Sequence, residues 1–165
     1  ATSQATITNN YIRCFSSGYN AINSTSSSVL TIENNVIDGN LTIYDASVKS
    51  NILIAGTVSG TSTGWFNNIS NEDQFSTDNG NQANVDMTTV FMYSGSTDGQ
   101  WQLKEASPAI DAGYDGTDCG MFGGVDPYVL SGIPGPLPTI YFLQTTAEGT
   151  EDDGLQIHLK AKVSD

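Results

Sequence analysis

Short apolar runs recur along the first 70 residues, and asparagine interrupts each of them. The runs are ATITNNYI (5–12), LTIENNVI (30–37), LTIYDASVKSNILI (41–54) and GWFNNIS (64–70). No window carries an apolar stripe with a period of 3.6 residues, because β-branched residues, Asn and Gly break every such stripe. The pattern therefore predicts an all-β chain of short strands.

The runs form a ragged internal repeat. Their second asparagines, Asn10, Asn35, Asn51 and Asn68, are 25, 16 and 17 residues apart. A repeat of about 20 residues with strands and no helix is typical of a β-solenoid, whose stacked turns bury aliphatic side chains. Asn tolerates left-handed backbone, and Asn side chains on successive turns can bond to one another in a ladder. Ordinary turn asparagines in a β-sandwich are the alternative interpretation. The side chains predicted to lie inside are Ile7, Ile12, Leu30, Ile32, Ile37, Leu41, Ile43, Val48, Ile52 and Ile54.

Three parts follow from this organisation. Residues 1–70 hold the repeats, residues 71–132 form an irregular segment, and residues 133–165 join a Pro/Gly linker to two strand-like runs. The last run alternates with a period of two, which predicts a C-terminal β-hairpin with one apolar face. That face consists of Leu155, Ile157, Leu159, Ala161 and Val163. Because a lone hairpin is marginal in water, we expect another surface or chain to cover it.

Charge and composition narrow the choice of partners and surroundings. The chain has 18 acidic residues and only five Lys or Arg, so its formal net charge is −13. Such a chain is repelled by nucleic acid and by anionic membranes. No apolar run approaches the roughly 18 residues that are needed to cross a bilayer. The sequence does not open with a segment that resembles a signal peptide, so we expect a mature chain or a fragment. The low lysine content and the abundance of Ser, Thr and Asn favour an extracellular or cell-surface location.

The two cysteines and the single histidine do not form a recognisable motif. Cys14 and Cys119 are distant from each other, neither belongs to a CxxC pair, and neither lies near His158 in the sequence. A zinc site is therefore poorly supported, while a disulfide and two buried free thiols both remain open. Three Asn-x-Ser/Thr sequons, which matter only if the host glycosylates, are at Asn23, Asn40 and Asn68.

The segment after residue 97 resembles a known family. DGQWQLKEASPAIDAG (98–113), GTDCGMFGG (116–124) and DPYVLSGIPGPLPTIYFL (126–143) are similar to the C-terminal part of right-handed parallel β-helix proteins. These belong to the pectate-lyase-like superfamily, especially its secreted or surface-exposed members of Bacteroidetes type. The family has a small or apolar residue where Cys119 and Met121 stand. The resemblance implies a short right-handed parallel β-helix followed by a Gly/Pro-rich capping segment.

In that interpretation the glycine-rich stretch is an end-piece of the helix. Pro108 would stop ladder extension, and Ile110, Met121 and Phe122 would plug the open hydrophobic end. Asp in glycine turns commonly caps its own backbone. A calcium site is the alternative for the acids of this loop, because carboxylates are hard oxygen ligands. The candidates are Asp111, Asp115 and Asp118; no other cofactor is expected.

A catalytic set is not evident, so we predict that the chain is not an enzyme. A polysaccharide lyase needs a base such as Lys or Arg, and the repeats offer only Arg13 and Lys49. These two are more than one turn apart and have no clustered acids in register, so we expect each to be a surface charge. Paired-acid hydrolysis would have to use Glu33, Asp38 and Asp45, whose spacing does not indicate it. His158 alternates with polar residues and is expected on a solvent face, which argues against Ser/His/Asp chemistry.

The functional prediction is a non-catalytic, extracellular structural protein with a β-helix fold. Its apolar last strand predicts self-assembly, as a head-to-tail fibril joined by strand addition. The alternative is a carbohydrate-binding module, or the C-terminal fragment of a polysaccharide lyase or hydrolase. For that alternative, Trp65 and Trp101 are the candidate rings for stacking on sugars, with core packing as their other possible role.

Overall fold

Nearly all regular structure in the chain is strand. The computed structural model describes residues 3–16, 18–24, 28–130, 138–145 and 157–163. The strands are β1 (Ser3–Thr8), β2 (Tyr11–Arg13), β3 (Asn20–Asn23), β4 (Ser28–Glu33), β5 (Val36–Asp38), β6 (Asn40–Lys49), β7 (Ile52–Ala55), β8 (Val58–Phe66), β9 (Ile69–Ser70), β10 (Pro138–Thr145) and β11 (Ile157–Val163). The helical elements among the described residues are α1 (Met87–Val90) and 3₁₀ turns at Asp78–Gly80 and Gly99–Trp101. The prediction of an all-β chain is confirmed.

Alternate strands of the chain build two parallel sheets. The first sheet contains β1, β4 and β6, with β3 and β8 also paired to β6, and the second has the order β2, β5, β7, β9. Ile7 lies opposite Ile32, and Ile32 lies opposite Val48, so aliphatic side chains stack from strand to strand. The chain thus passes repeatedly from one sheet to the other. Each pass adds one strand to each sheet, except that β3 and β4 follow one another and both pair with β6 in the first sheet.

The chain divides into two units, residues 1–128 and residues 129–165. The first unit holds both parallel sheets. The second holds β10 and β11, which pair antiparallel with Leu143 opposite Leu159 and Gln144 opposite His158. The two strands predicted for the C-terminal hairpin therefore pair with each other. Residues 146–156, which connect them, lie outside the described residues.

A ladder of asparagines lies where the chain leaves the first sheet for the second. The backbone N–H of each ladder residue donates to the side-chain Oδ1 of the next, over 2.9–3.0 Å at every step. The members are Asn10, Asn35, Asn51, Asn68 and Asn81. The ladder predicted for the first four is confirmed. Asn81 was missed, because we expected the repeat to fade after residue 70 and Gln82 replaces the apolar residue that follows the other four.

The residue before each of the first four ladder positions has left-handed backbone. Its φ lies between +53° and +55° at Asn9, Asn34, Ser50 and Asn67. Asn adopts this conformation at lower cost than most residues because its short polar side chain can bond locally. The bend therefore needs two adjacent residues, one that turns the backbone and one that enters the ladder. This explains the repeated Asn-Asn pairs.

The core between the sheets contains most of the side chains predicted to be inside. Ile32, Ile37, Leu41, Ile43 and Val48 are fully buried there, and Leu30 is nearly so. Ile7 and Ile12 are partly buried against the same core. Burial of one such side chain contributes about 1.5–3 kcal/mol, so this row is the main apolar contribution to the stack.

A second core lies against the second sheet, and it corrects part of the prediction. Ile52 is buried in this second core, and Ile54 packs at its margin, whereas Leu53 faces the first core. Neighbouring strand residues point to opposite faces. Consecutive apolar residues, such as Val36 and Ile37 in β5 and Ile52–Ala55 in β7, are typical of a sheet that is covered on both faces. The second core consists of Val36, Ile52, Ile69, Met87, Val90, Phe91, Trp101, Ala109, Cys119 and Met121.

Residues 85–128, here called the covering segment, supply the other side of the second core. The left-handed bend residues hold this segment by hydrogen bonds along the stack. The bonds run from Asn67 Nδ2 to the Ala112 carbonyl (3.0 Å), from the Tyr114 N–H to Ser50 Oγ (2.9 Å), from Asn34 Nδ2 to the Asp118 carbonyl (3.1 Å) and from Asn9 Nδ2 to the Gly123 carbonyl (2.8 Å). The segment therefore follows the stack from its last pass back to its first.

This course differs from the end-piece predicted for the glycine-rich stretch. Met121 is buried in the second core and Phe122 packs beside it. Ile110 is 37% exposed and does not cover a hydrophobic end of the stack. Gly120 has a φ of +87°, and a Cβ there would lie 2.8 Å from Ile52 Cδ1. The absence of a side chain at Gly120 lets the covering segment approach the second sheet closely. The segment thereby covers the outer apolar face of that sheet.

Asn51→Ala tests the contribution of the ladder. The substitution leaves the Asn35 N–H without its buried acceptor and removes the Asn51 Nδ2 bonds to the Ile32 and Lys49 carbonyls and to Asn68 Oδ1. We expect a loss of about 3 kcal/mol, since each unsatisfied buried polar group costs about 1–3 kcal/mol. Urea denaturation measures it. The matched control is Asn40→Ala, which removes an exposed acceptor of the Thr57 N–H and should cost under about 1 kcal/mol. Equal losses would contradict a dominant role for the ladder.

Candidate functional site

The covering segment and the first pass of the chain enclose a groove with an aromatic lining. Its volume is about 360 Å³, within the range of small-ligand sites. Tyr11 and Trp101 stack with ring centroids 4.4 Å apart. Tyr128 lies on the lining as well, and its hydroxyl donates to Asp98 Oδ2 over 3.0 Å. The lining also includes Asn9, Asn10 and Met121. The groove is therefore apolar at its base with polar groups on its margin.

The polar margin of this groove is held in place by the protein itself. Asp98 Oδ1 accepts from the Gly99 N–H and from Ser96 Oγ, which fixes the carboxylate that binds Tyr128. The hydrogen bond to Asp98 raises the pKa of Tyr128, and burial raises the pKa of Tyr11. Both phenols therefore stay neutral at physiological pH. The Tyr11 hydroxyl is buried without a hydrogen-bond partner among the described residues, although Arg13 lies near it.

A second, more polar groove of about 240 Å³ surrounds Lys49. The Lys49 Nζ lies 3.7 Å from Glu33 Oε1 and 4.2 Å from the centre of the Tyr114 ring. Asp115 and Asp126 also line this groove. The ammonium thus contacts both a carboxylate and a ring face.

Each cation of the repeats has a single acid opposite it in register, a pairing that the sequence analysis did not anticipate. Arg13 lies opposite Asp38 in the pairing of β2 with β5, with 2.9 Å between Arg13 Nε and Asp38 Oδ2. Glu33 lies opposite Lys49 in the pairing of β4 with β6. The ragged spacing of the repeats hid this alignment. The pairs lie on different parts of the stack, and each acid is engaged by its own cation.

One of the three calcium candidates, Asp118, caps the local turn with its carboxylate. Asp118 Oδ1 accepts from the Asp111 N–H over 2.9 Å, so this carboxylate caps its own loop. Asp111 itself has left-handed backbone with a φ of +55°. Among the described residues no group of three His, Cys, Asp or Glu side chains is placed to hold a metal ion. The loop is closed by its own hydrogen bonds.

The two tryptophans predicted as sugar platforms occupy different settings. Trp65 is partly buried against the first core, 5.4 Å from Phe75 between ring centroids. Trp101 is only 9% exposed, and Tyr11 covers one of its faces. The aromatic rings with more accessible area at the groove are Tyr11 and Tyr128, which the sequence analysis did not single out. The available signal for Tyr11 was its position directly after a ladder asparagine.

The apolar face predicted for the last strand is exposed where it is described. Ile157 is 61% exposed and Leu159 49%, and their neighbour Leu143 on β10 is 62% exposed. Ala161 is exposed too. Val163 ends β11, and Leu155 lies outside the described residues. His158 is exposed and lies opposite Gln144, on the other face of the hairpin from Leu159.

Both cysteines are free, which leaves the disulfide alternative without support in this structure. Cys119 is buried in the second core, where its thiol donates to the Asn67 carbonyl over 3.2 Å. The three sequons also differ in access. Asn23 is exposed and Asn40 half-buried, whereas Asn68 is fully buried in the ladder and is inaccessible to a glycosylating enzyme in the folded chain.

No protein-family model, curated protein or solved structure matches the chain. The resemblance of residues 98–143 to β-helix proteins therefore rests on those residues alone. In the part of the chain that the structure describes, no helix combines the length and the apolar character needed to cross a membrane.

Thiol labelling checks the contrast between the two cysteines. Burial raises the pKa of Cys119 to about 12, so hardly any thiolate forms at pH 8, and the side chain is covered. We expect a disulfide reagent at pH 8 to modify one thiol quickly in the native chain and both after unfolding. Cys14→Ser should remove the fast phase and Cys119→Ala should keep it. A fast phase that survives Cys14→Ser would contradict the burial of Cys119.

Proposed function

We propose that the chain is a non-catalytic, extracellular structural module of the right-handed parallel β-helix type, which assembles with copies of itself by strand addition. The two alternating parallel sheets and the asparagine ladder support the β-helix. The right hand follows from the general preference of parallel crossover connections. Both cations of the repeats, Arg13 and Lys49, are engaged in local ion pairs, which favours a structural role over catalysis.

The observation that carries the assembly proposal is the exposed apolar face of the C-terminal hairpin. Leu143, Ile157 and Leu159 leave about half or more of their area in solvent on a sheet of only two strands. Such a ribbon is marginal alone and has unpaired backbone groups along its edges. Pairing β11 with an edge strand of another copy would satisfy the backbone and cover the apolar face.

Length and charge suit the first sheet of another copy as the acceptor. β1 is the outermost strand in the sheet order and has six residues, against seven in β11. Residues 1–128 contain 13 of the 18 acidic residues, while β11 carries His158, Lys160 and Lys162 and no acid. Opposite charge favours the encounter of the strand with an acidic body. The contact is heterologous, so it extends into a fibre unless it closes into a ring.

Leu159→Lys tests the hairpin as the assembly element. The charge replaces an exposed apolar side chain in the centre of the face, and we expect self-association to weaken at least tenfold. Sedimentation of the chain over a wide concentration range measures the effect. Gln144→Lys adds the same charge on the opposite face and should leave association nearly unchanged. A wild-type chain that remains monomeric at every concentration would contradict the proposal.

A carbohydrate-binding role is the second candidate, and the aromatic groove favours it. Tyr11 and Tyr128 offer ring surface beside Asp98 and Asn10, and sugar sites combine flat apolar contacts with a few fixed polar groups. The acidic body favours neutral polysaccharides over uronates.

Titration with neutral oligosaccharides, followed by tryptophan fluorescence, tests this second role. Tyr128→Ala should abolish a response from a groove-bound sugar. Trp65→Ala is a weaker test because Trp65 packs against the first core. The sugar role is contradicted by the absence of any saturable response, or by a response that Tyr128→Ala leaves intact.

A further inference from the structure

Five asparagines of the described residues have left-handed backbone, and the peptide group after each of them controls its chemical stability. Their φ lies between +53° and +57°, and they are Asn9, Asn34, Asn67, Asn79 and Asn84. Asparagine is a labile residue, because the backbone nitrogen of the next residue can attack its side-chain carbonyl carbon. The reactivity of each bend therefore depends on what holds the next N–H.

At four of the five bends the next N–H is bonded to a neighbouring pass. The N–H groups of Asn10, Asn35 and Asn68 donate to side chains of the ladder over 2.9–3.0 Å. The Val85 N–H donates to the Ser70 carbonyl over 3.0 Å. These four nitrogens are fixed in the stack, and the hydrogen bonds direct them away from the preceding side chain.

Asn79 is the exception among the five. The next residue is Gly80, and this is the only Asn-Gly pair in the sequence. Among the described residues, the Gly80 N–H has no hydrogen-bond partner outside its own 3₁₀ turn. Glycine also has no side chain to hinder the approach of its nitrogen. Because Asn79 is exposed, water reaches the turn as well.

The folded turn slows the attack but is weakly held. With φ at 55° and ψ at 33°, the Asn79 Cα–C bond places the Gly80 nitrogen away from the side chain. This bond must rotate before a ring can close. The rotation breaks the hydrogen bond from the Asn67 N–H to the Asn79 carbonyl, which measures 3.1 Å. Short exposed turns open at a low cost in free energy, so the reactive conformation is accessible from the folded chain.

We propose that Asn79–Gly80 is a site of spontaneous covalent modification, at which water converts the asparagine to aspartate or isoaspartate. The Gly80 nitrogen loses its proton and attacks Asn79 Cγ. The new C–N bond closes a succinimide ring, and the bond from Cγ to Nδ2 breaks to release ammonia. Water then opens the ring at Cγ, which restores the normal backbone, or at the main-chain carbonyl, which leaves the backbone running through Cβ. One water is consumed for each ammonia released.

Isoaspartate at this position acts on the last link of the asparagine ladder. The Asn79 carbonyl holds the Asn67 N–H, and Asn81 Oδ1 accepts from the N–H and Nδ2 of Asn68 over 2.9 and 3.1 Å. Isoaspartate inserts one extra main-chain atom between these two attachment points. Gly80 packs against the Asn67 side chain so closely that a Cβ would lie 2.8 Å from its Nδ2, which leaves little room for that atom. The link from Asn68 to Asn81 therefore weakens.

Peptide mapping by mass spectrometry tests the site in the full chain, incubated for weeks in mildly alkaline buffer. We expect conversion at Asn79 at least ten times faster than at Asn84, which is also exposed and has the same backbone conformation. Val85→Gly gives Asn84 the same Asn-Gly sequence but keeps the nitrogen bonded to Ser70. In that variant Asn84 should still react more slowly than Asn79 when folded, and at a similar rate in urea.

The site is overturned if Asn79 in the folded chain reacts no faster than Asn84. It is also overturned if Val85→Gly makes the two positions equal in the folded chain, because sequence alone would then decide the rate. Neither result depends on self-assembly or on sugar binding, since the reaction requires only water and the last pass of the stack.

Hydrogen exchange of the isoaspartate form, separated by ion exchange, tests the effect on the ladder. The Asn68 amide should exchange at least tenfold faster than in the unmodified chain, while the Asn35 amide of an inner link should not change. Asn79→Asp adds the same charge without the extra main-chain atom and should leave the Asn68 amide nearly unchanged. The effect is contradicted if the isoaspartate form protects Asn68 as before, or if Asn79→Asp accelerates its exchange equally.

Discussion

Satisfying backbone and side-chain hydrogen bonds at a buried bend is the constraint on which this fold depends. At the inner bends, where the chain leaves one parallel sheet for the other, Asn35, Asn51 and Asn68 are fully buried, so the peptide groups there need partners within the protein. A stacked asparagine supplies an acceptor for the pass before it and donors for carbonyls nearby. Because each link joins consecutive passes at about 3 Å, the ladder also fixes the alignment of the strands. The aliphatic stacking of the first core follows from that alignment.

The same bend organises the surface. Its left-handed residue points outward, and four such residues hold the covering segment across the second sheet. That segment buries the outer face of the sheet, fixes Cys119 in apolar surroundings and forms the aromatic groove against the first pass. One local motif thus accounts for the alignment of the inner core and for the lateral attachment of residues 85–128.

Local pattern was sufficient where the structure repeats. The Asn-Asn pairs and period-two runs predicted the strands, four ladder positions and the apolar face of the last strand. The prediction failed where the pattern lapses or distant segments meet. Asn81 lacks the apolar residue that follows the other ladder members, and the Glu33–Lys49 pair depends on the register of two strands. The covering segment bonds to residues that lie 45 to 114 positions earlier in the chain.

The sequence by itself determined that this chain is built of strands, that its bends carry asparagine, and that it is acidic. These properties depend on residue type and short-range spacing, because propensity and alternation act over a few residues. Only the tertiary structure decided which apolar residues face which core, where the glycine-rich segment lies, and that Tyr11, Trp101 and Tyr128 share a groove. Those outcomes depend on contacts between distant parts of the chain, whose geometry exists only after the passes have stacked.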